Sequence, residues 1–354
     1  MIDFYVFTVI IYAILILLLL LFVLILGFAV YRKKSDYNKN AWKHTVAVVI
    51  VAVVFSEEVE GGYEAMMHEF KRSLNRSGYR KYMIDELIKA KKGLSGSSTS
   101  NLIMLYERLN LDIDSFRKLH SLKWHIRAKG IRELGIMEQT KYRKEIFWLC
   151  NNQNELVRNE AQCAMVGFFG WPGLSFLNAI EHQMSQWHQV QLLNKLADVK
   201  PDSFEEIKSW LESSNESVIV FAIKLATLYK CQDVYHNVIL CLQSSSNQVK
   251  ITALEYLRLM PQEDTSDHMI NNYHSENINY KLAVIAALKD IGTDREIPFL
   301  VKELDDTNNE IKAAAAGSIS TLHPMGNDFF ETYPFAKARP WKEIFFQLTN
   351  KQTA

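Results

Sequence analysis

The residues whose types could do chemistry are few, and their spacing argues against each arrangement in turn. Cys231, His236 and Cys241 recur at five-residue intervals and offer thiol and imidazole groups, the ligand types that zinc takes. On helices that spacing points the side chains in diverging directions, and a fourth ligand is lacking, so the cysteines read as core residues. His182 and His188 flank Trp187 at the mouth of a turn and read as solvated. Glu205 with Glu206, and Asp305 with Asp306, are carboxylate pairs in sequence. Neighbours on a helix do not face one another, so neither pair forms an acid/base dyad. The chain has no Walker-type phosphate loop, no G-x-G-x-x-G after a strand, no G-x-S-x-G elbow, no H-E-x-x-H and no paired C-x-x-C. No catalytic, cofactor-binding or metal-ligating residue is assigned. The expectation is a protein that is not an enzyme and carries neither cofactor nor metal.

What the chain has instead is architecture. From Phe4 to Tyr31 there is no charged residue, and the run is rich in Leu, Ile, Val and Phe. At the helical rise it reaches ~42 Å, more than the ~30 Å hydrocarbon core of a bilayer, so residues 4–31 are predicted to span the lipid. A cleaved secretory signal would have a basic start, a shorter apolar stretch and a small-residue cleavage site, and this run has none of them. The basic flank lies after the run, with Arg32, Lys33, Lys34, Lys39 and Lys43 against a single Asp36. By the positive-inside rule the N-terminus then faces out and the remainder lies in the cytosol, as a single-pass protein. Lysine plus arginine balances aspartate plus glutamate at 40 each, so no global charge draws the chain onto nucleic acid. Four cysteines, Cys150, Cys163, Cys231 and Cys241, fit reduced core residues rather than a disulfide framework.

Four regions follow from the pattern. Residues 1–34 form the anchor with its basic flank. Residues 35–100 are a juxtamembrane helical region, closed by a Gly/Ser linker over Gly93–Ser100. Within it, Thr45–Phe55 is apolar but too short to cross a bilayer unaided and reads as a buried helix closing the near end of the domain. Glu57 to Lys92 becomes basic through Lys71, Arg72, Arg76, Arg80, Lys81, Lys89, Lys91 and Lys92, which suit either anionic headgroups or a solvated helix face. Residues 101–322 repeat. Gly130, Ala161, Leu192, Ala222, Ala253, Ala283 and Ala314 mark the middles of successive helices at steps of 30 or 31 residues. Each unit reads as two helices of about a dozen residues joined by short turns, too small to bury its own apolar face, so the units stack. Residues 323–354, with three prolines and gathered aromatics, read as a cap over the last unit.

The unit from Ile291 to Asp306, with Ile297-Pro298-Phe299-Leu300, Asp305 and then Ile311-Lys312-Ala313-Ala314-Ala315, resembles HEAT repeats of the short variety named after phycocyanobilin lyases. In that pattern a Val-Arg pair opens each first helix. Arg158 matches it, Lys250 and Lys312 stand at the same place, and Ile219 departs from it, leaving a ladder of turn contacts incomplete there. The fold class is therefore expected to be all-α, an N-terminal transmembrane helix followed by an α-solenoid of HEAT-like helix pairs. The text Leu105-Tyr106-x-x-Leu109-x-Leu111, Ser115, Lys118-Leu119-x-Ser121-x-x-Trp124, then Ala128, Ile131 and Leu134, is similar to a bacterial group with one membrane helix and cytosolic HEAT repeats. That group tends to accompany membrane glycosyltransferases of exopolysaccharide synthesis, and the resemblance implies a place in the inner membrane and a membrane protein as partner. The namesake lyases imply an enzymatic alternative, and other HEAT-like solenoids bind nucleic acid along a basic stripe, which the mixed charge of these helices does not provide.

The reading that follows is a membrane-anchored adaptor, with the second helix of each unit lining the partner surface. The expected contacts are Arg143, Lys144, Trp148, Gln183, Trp187, Lys208, Trp210, Tyr235, His236, Asn271 and Tyr273, taken as exposed polar and aromatic positions there.

Overall fold

Among the residues that the computed structural model describes (2–55, 73–94, 96–201, 203–273, 276–323, 341, 343 and 344), every regular element is a helix. The described chain divides into two compact units, the first of residues 1–149 with 154–168, the second of residues 150–153 with 169–354.

The first unit begins with α1, Ile2–Phe55, an unbroken helix of 54 residues. It does not stop at residue 34. Its segment Phe7–Val30 is long and apolar enough to cross a bilayer, with a mean hydropathy of 3.6 and none of its described side chains buried in the protein. Further along the same helix, Val46, Val49 and Val53 are buried. They share a core with Met83, Ile84 and Leu87 of α2 (Ser77–Lys92) and Leu102, Leu105 and Tyr106 of α3 (Ser97–Arg108). The Thr45–Phe55 stretch is thus a core-facing helix, as its length implied. The expected Gly/Ser linker is shorter than its composition suggests. Ser97–Ser100 are already the first turn of α3, where Ser98 and Asn101 donate to the Val54 carbonyl (3.4 Å) and the Val53 carbonyl (3.2 Å) of α1.

Three of the basic residues of the second helix are committed to structure. Arg80 donates to Asp114 and to the carbonyls of Leu109 (3.1 Å) and Asn110 (2.6 Å), closing the turn between α3 and α4 (Leu111–Leu119), where Asn110 takes a left-handed φ of 50°. Lys91 reaches Glu138 (2.6 Å), and Lys89 pairs with Glu86 (2.6 Å) on its own helix. Lys71 and Arg72 lie outside the described residues.

The helices α4 and α5 (Trp124–Ile136) pack closely, and the reason is Gly130. A Cβ there would lie 2.7 Å from the Ser115 carbonyl oxygen and 2.7 Å from the Lys118 Cβ. The same interface buries a carboxylate. Tyr106 donates to Ser115 (2.8 Å), Ser115 donates to Glu133, and Lys118 donates to both Glu133 oxygens, to Oε1 at 2.8 Å. The first unit closes with α6 (Arg143–Leu149) and α7 (Glu155–Phe169, through Phe168 in this unit), and Arg132 of α5 binds Glu160 of α7 (2.9 Å).

In the second unit, helix pairs follow one another: α8 (Gln186–Leu196) and α9 (Glu205–Leu211), α10 (Glu216–Leu228) and α11 (Tyr235–Leu240), α12 (Asn247–Leu259) and α13 (Thr265–Asn271). They continue through α14 (Ile278–Ile291) and α15 (Ile297–Glu303) to α16 (Asn309–Leu322). All seven repeat-marking residues fall inside a first helix, as the spacing predicts. The two helices of a pair are unequal, however. The second α-helices have only six or seven residues rather than about a dozen, and after α7 the second element is a 3-10 helix of eight, Trp171–Asn178. Before each first helix from α7 on stands a capping residue: Asn154, Ser185, Asn215, Ser246, Asn277 or Asn308. All but Ser246 accept a hydrogen bond from the helix's first-turn amides, for example Asn308 from Glu310 N at 2.7 Å. Such a cap contributes about 1 kcal/mol.

Of residues 323–354, expected to cap the last unit, most lie outside the described residues. Trp341 and Ile344 are buried, and the Lys312 ammonium sits 5.7 Å from the Trp341 ring centroid.

Gly130→Ala is expected to lose on the order of 1–2 kcal/mol. Overpacking of ~1–3 kcal/mol against a backbone carbonyl outweighs the ~1 kcal/mol that alanine gains in a helix. Gly78→Ala, whose Cβ would meet the Trp42 ring at 3.4 Å, is expected to be neutral or stabilising. Urea unfolding of the two variants checks both.

Candidate interaction surface

The candidate contacts divide by burial. In the first unit, α6 presents Arg143, Lys144 and Trp148, all exposed, with Trp148 at 81%. The helix is short, and what fixes it is the turn before it. Tyr142 donates to Asp112 (2.6 Å), Lys141 pairs with the same carboxylate (2.7 Å), and the Tyr142 ring stacks on Phe116 at 4.5 Å. Burial pushes the Asp112 carboxyl up, but the hydrogen bonds from Lys141 and Tyr142 outweigh it and leave the pKa lowered.

In the second unit, Trp187 is 71% exposed, and Gln183, His236 and Asn271 are also exposed. Trp187 stands in the first turn of α8, a first helix of its pair, and Gln183 precedes it, so neither lies on a second helix. The turn that presents them is fixed by polar contacts where Ile219 breaks the Val-Arg pattern. Asn215 donates to the His182 carbonyl (3.1 Å) and accepts from Ser217 Oγ (2.7 Å), and Ser217 accepts from Met184 N (2.9 Å). Gln183 accepts from Ser217 N (3.1 Å), which spends one of its amide atoms on structure. Amides and hydroxyls replace the missing arginine. Where the pattern does carry a basic residue, Lys250 pairs with Glu276 of the next turn, and Arg158 of the first unit is buried. Lys208 is half-buried and pairs with Glu205 at 3.2 Å.

Three expected contacts are core residues. Trp210 is 3% exposed, lies against Trp171 (ring centroids 5.6 Å apart) and donates its indole N–H to Asn178 (2.7 Å). Tyr235 is buried, hydrogen-bonded to Asp264 (3.0 Å) and Thr265 (2.6 Å), and burial raises its hydroxyl to about 12. Tyr273 is buried, donates to Glu303 (2.7 Å) and packs edge-on to Phe299. Trp210 and Tyr235 lie on the buried side of the short helices α9 and α11, and Tyr273 stands in the turn after α13. Conversely, Leu122, Trp124, Leu240 and Leu259 are exposed apolar side chains that composition did not single out. Leu259 stands out of phase with the buried face of α12, and that phase was the available signal.

Lys33, Lys34 and Lys43 of the basic flank are exposed on α1, while Arg32 and Lys39 lie outside the described side chains. The cysteine and histidine spacing assembles no site, and His188, expected to be solvated, is instead buried on the inner face of α8. Burial raises Cys231 and pushes the Cys241 thiol up to about 11, which disfavours the thiolate a metal would need. Among the described residues no group of three or more metal-ligating side chains comes together.

Residues 235–320 match the family described as HEAT repeats. A crystal structure of an engineered protein from a structural genomics consortium is similar over 90% of this chain and 96% of its own, at 13% identity and a TM-score of 0.35, a likeness that decides neither fold nor function. A comparison with curated proteins finds no match. The helix pairs and their caps form an all-helical repeat fold among the described residues, of which residues 235–320 are similar to HEAT repeats.

Trp210→Ala is expected to cost about 3–5 kcal/mol, as for a buried large aromatic, and Trp187→Ala less than about 0.5 kcal/mol. Thermal unfolding of both variants separates core from surface. Because the Asp112 pKa is lowered, its contribution is fully present above the ordinary carboxylate pKa of about 3.9 and is lost as pH falls through the depressed value. Asp112→Asn should therefore flatten the acid limb of stability against pH, measured by denaturant midpoints across the acid range.

Proposed function

We propose that this protein is a non-catalytic, membrane-anchored adaptor that holds a membrane-protein partner beside the bilayer. The observation that carries the reading is α1. A helix apolar on every side over Phe7–Val30 continues without interruption into the buried Val46, Val49 and Val53. Cleavage just past the apolar run, as for a signal sequence, would cut a helix whose continuation is part of the core. The basic flank favours the cytosol for the repeats. HEAT repeats serve widely as protein-binding scaffolds, and Trp148 and Trp187, each on a rigidly held turn, are the side-chain type that dominates interfaces. The likeness to the bacterial group of anchored HEAT-repeat proteins extends the proposal to a membrane glycosyltransferase as the partner.

The test is site-specific photo-crosslinking in cells with the crosslinker at Trp148 or Trp187, and at Gly93 as a control, followed by detergent extraction and mass spectrometry. One membrane enzyme crosslinked from Trp148 or Trp187 and absent from the control is expected. A Trp148→Ala/Trp187→Ala chain should capture it at least tenfold less without losing stability, since truncating one interface tryptophan commonly costs 2 kcal/mol or more. Equal capture by that variant would refute the assigned surface, and full release of the chain by alkaline carbonate would refute the anchor.

A further inference from the structure

On one face of the first unit the carboxylates turn inward and the cations outward. Helix α4 runs antiparallel to α5, since Ser115 reaches Glu133 while Arg127 reaches the Ser121 carbonyl. The turn after α5 brings the chain back beside α4, where Tyr142 donates to Asp112 and its ring stacks on Phe116. The outer sides of α4 and α6 are thereby joined into one surface, with the half-buried Phe116 and Tyr142 rings between them.

The charges on this surface sort by sign. Asp112 is buried and held by Tyr142 and Lys141, and Asp114 is held by Arg80 and lies 3.6 Å from Arg117. Glu133 is buried and bound by Lys118, and Glu145 is half-buried. At the adjoining turns Glu107 accepts from Gln139 (2.9 Å) and Glu138 from Lys91 (2.6 Å). The cations face water: the Arg117 side chain is 75% exposed and that of Lys141 52%, and Arg143 and Lys144 are exposed too. His120, also exposed, lies edge-on to Phe116 at 4.8 Å. Among them stand two exposed apolar side chains, Ile113 and Trp148. In a chain whose formal net charge is zero, this is a local excess of positive charge around an aromatic floor.

We propose that the α4–α6 face of the first unit receives an acidic segment of the partner protein, its Asp and Glu side chains on Arg117, Arg143 and Lys144 and an apolar side chain against Trp148. The proposal rests on the adaptor reading and adds to it the chemistry of the segment recognised. Charge-assisted hydrogen bonds from guanidinium to carboxylate are the strong ones, and complementary charge fixes register and speeds encounter. Packed helices lie ~8–10 Å apart, so the strip between α4 and α6 has the width of one peptide segment rather than of a membrane surface.

The test uses the full-length chain in its own membranes, with a photo-crosslinking residue in place of Ile113 and peptide mapping of what it captures. The expected product is a segment of a membrane protein that carries more Asp and Glu than Lys and Arg. Arg143→Glu with Lys144→Glu should cut capture about tenfold, and Arg117→Glu about fivefold, with thermal unfolding unchanged. Lys195→Glu, at an exposed site of the second unit, should leave capture as it is. Crosslinking in isolated membranes at 0.5 M NaCl should also lower it several-fold, a readout that needs no variant. A captured segment that is neutral or basic, or capture indifferent to both the reversals and salt, overturns this proposal and leaves the adaptor reading standing. Lipid or a second copy of the chain captured at position 113 overturns it too, as does capture from Trp148 or Trp187 with none from position 113. No protein captured from any of the three positions overturns the adaptor reading and this proposal together.

Discussion

A helix that is apolar on every side has no stable place in water, and α1 imposes that constraint on everything after it. Leaving one large apolar side chain exposed rather than buried forgoes about 1.5–3 kcal/mol, and Phe7–Val30 exposes such side chains all round its circumference. Against the 5–15 kcal/mol that stabilises a typical fold, that surface must find an apolar environment. The same helix then supplies Val46, Val49 and Val53 to the core of the first unit. The described backbone has no break between the two roles, so the environment chosen by the first half fixes the position of the second.

Beyond α1, the fold is an iteration of one local solution. From α7 on, a short polar residue stands before each first helix, a small or apolar residue in its middle permits close packing, and a short helix returns the chain. The regularity lies in the caps more than in the charged ladder. Where the basic residue is present, as at Lys250, it pairs with a carboxylate of the following turn, Glu276. Where Ile219 stands instead, Asn215, Ser217 and Gln183 supply neutral hydrogen bonds across the same gap. A turn needs its backbone amides and carbonyls satisfied, and several side-chain chemistries do that equally well. Such a repeat tolerates departures from its pattern without losing its spacing.

Helix period and turn chemistry made the repeats legible, since both are local. The residues marking each unit, from Gly130 to Ala314, could be found by spacing alone because every unit meets the same packing problem. The surface was less legible. Trp187 and Trp210 both stand among polar residues, and what buries Trp210 is contact with Trp171 and Asn178, more than 30 residues away in sequence. Tyr235 and Tyr273 are hard to place from sequence for the same reason: a hydroxyl marks them as polar, yet Asp264, Thr265 and Glu303 satisfy it inside the core. Ser97–Ser100 failed in the opposite sense. Serine and glycine suggest a linker, but the α1 carbonyls offered Ser98 and Asn101 partners, and tertiary contact overrode composition.

The placement of Trp148 bears on what its surface can do. Scattered exposed tryptophans are common on soluble proteins and by themselves mark nothing. What distinguishes this one is the investment behind it. A buried carboxylate, Asp112, is held by a tyrosine and a lysine, and the tyrosine ring is stacked on Phe116, so that a helix of seven residues leaves the core at one fixed angle. A helix that short has no stability of its own, and without that turn its tryptophan would sample many orientations. Ordering a side chain on binding costs about 0.5–1.5 kcal/mol, and a side chain already ordered avoids that cost. Pre-organisation of this kind would lower the cost of recognising a shaped partner, as the proposed adaptor role requires.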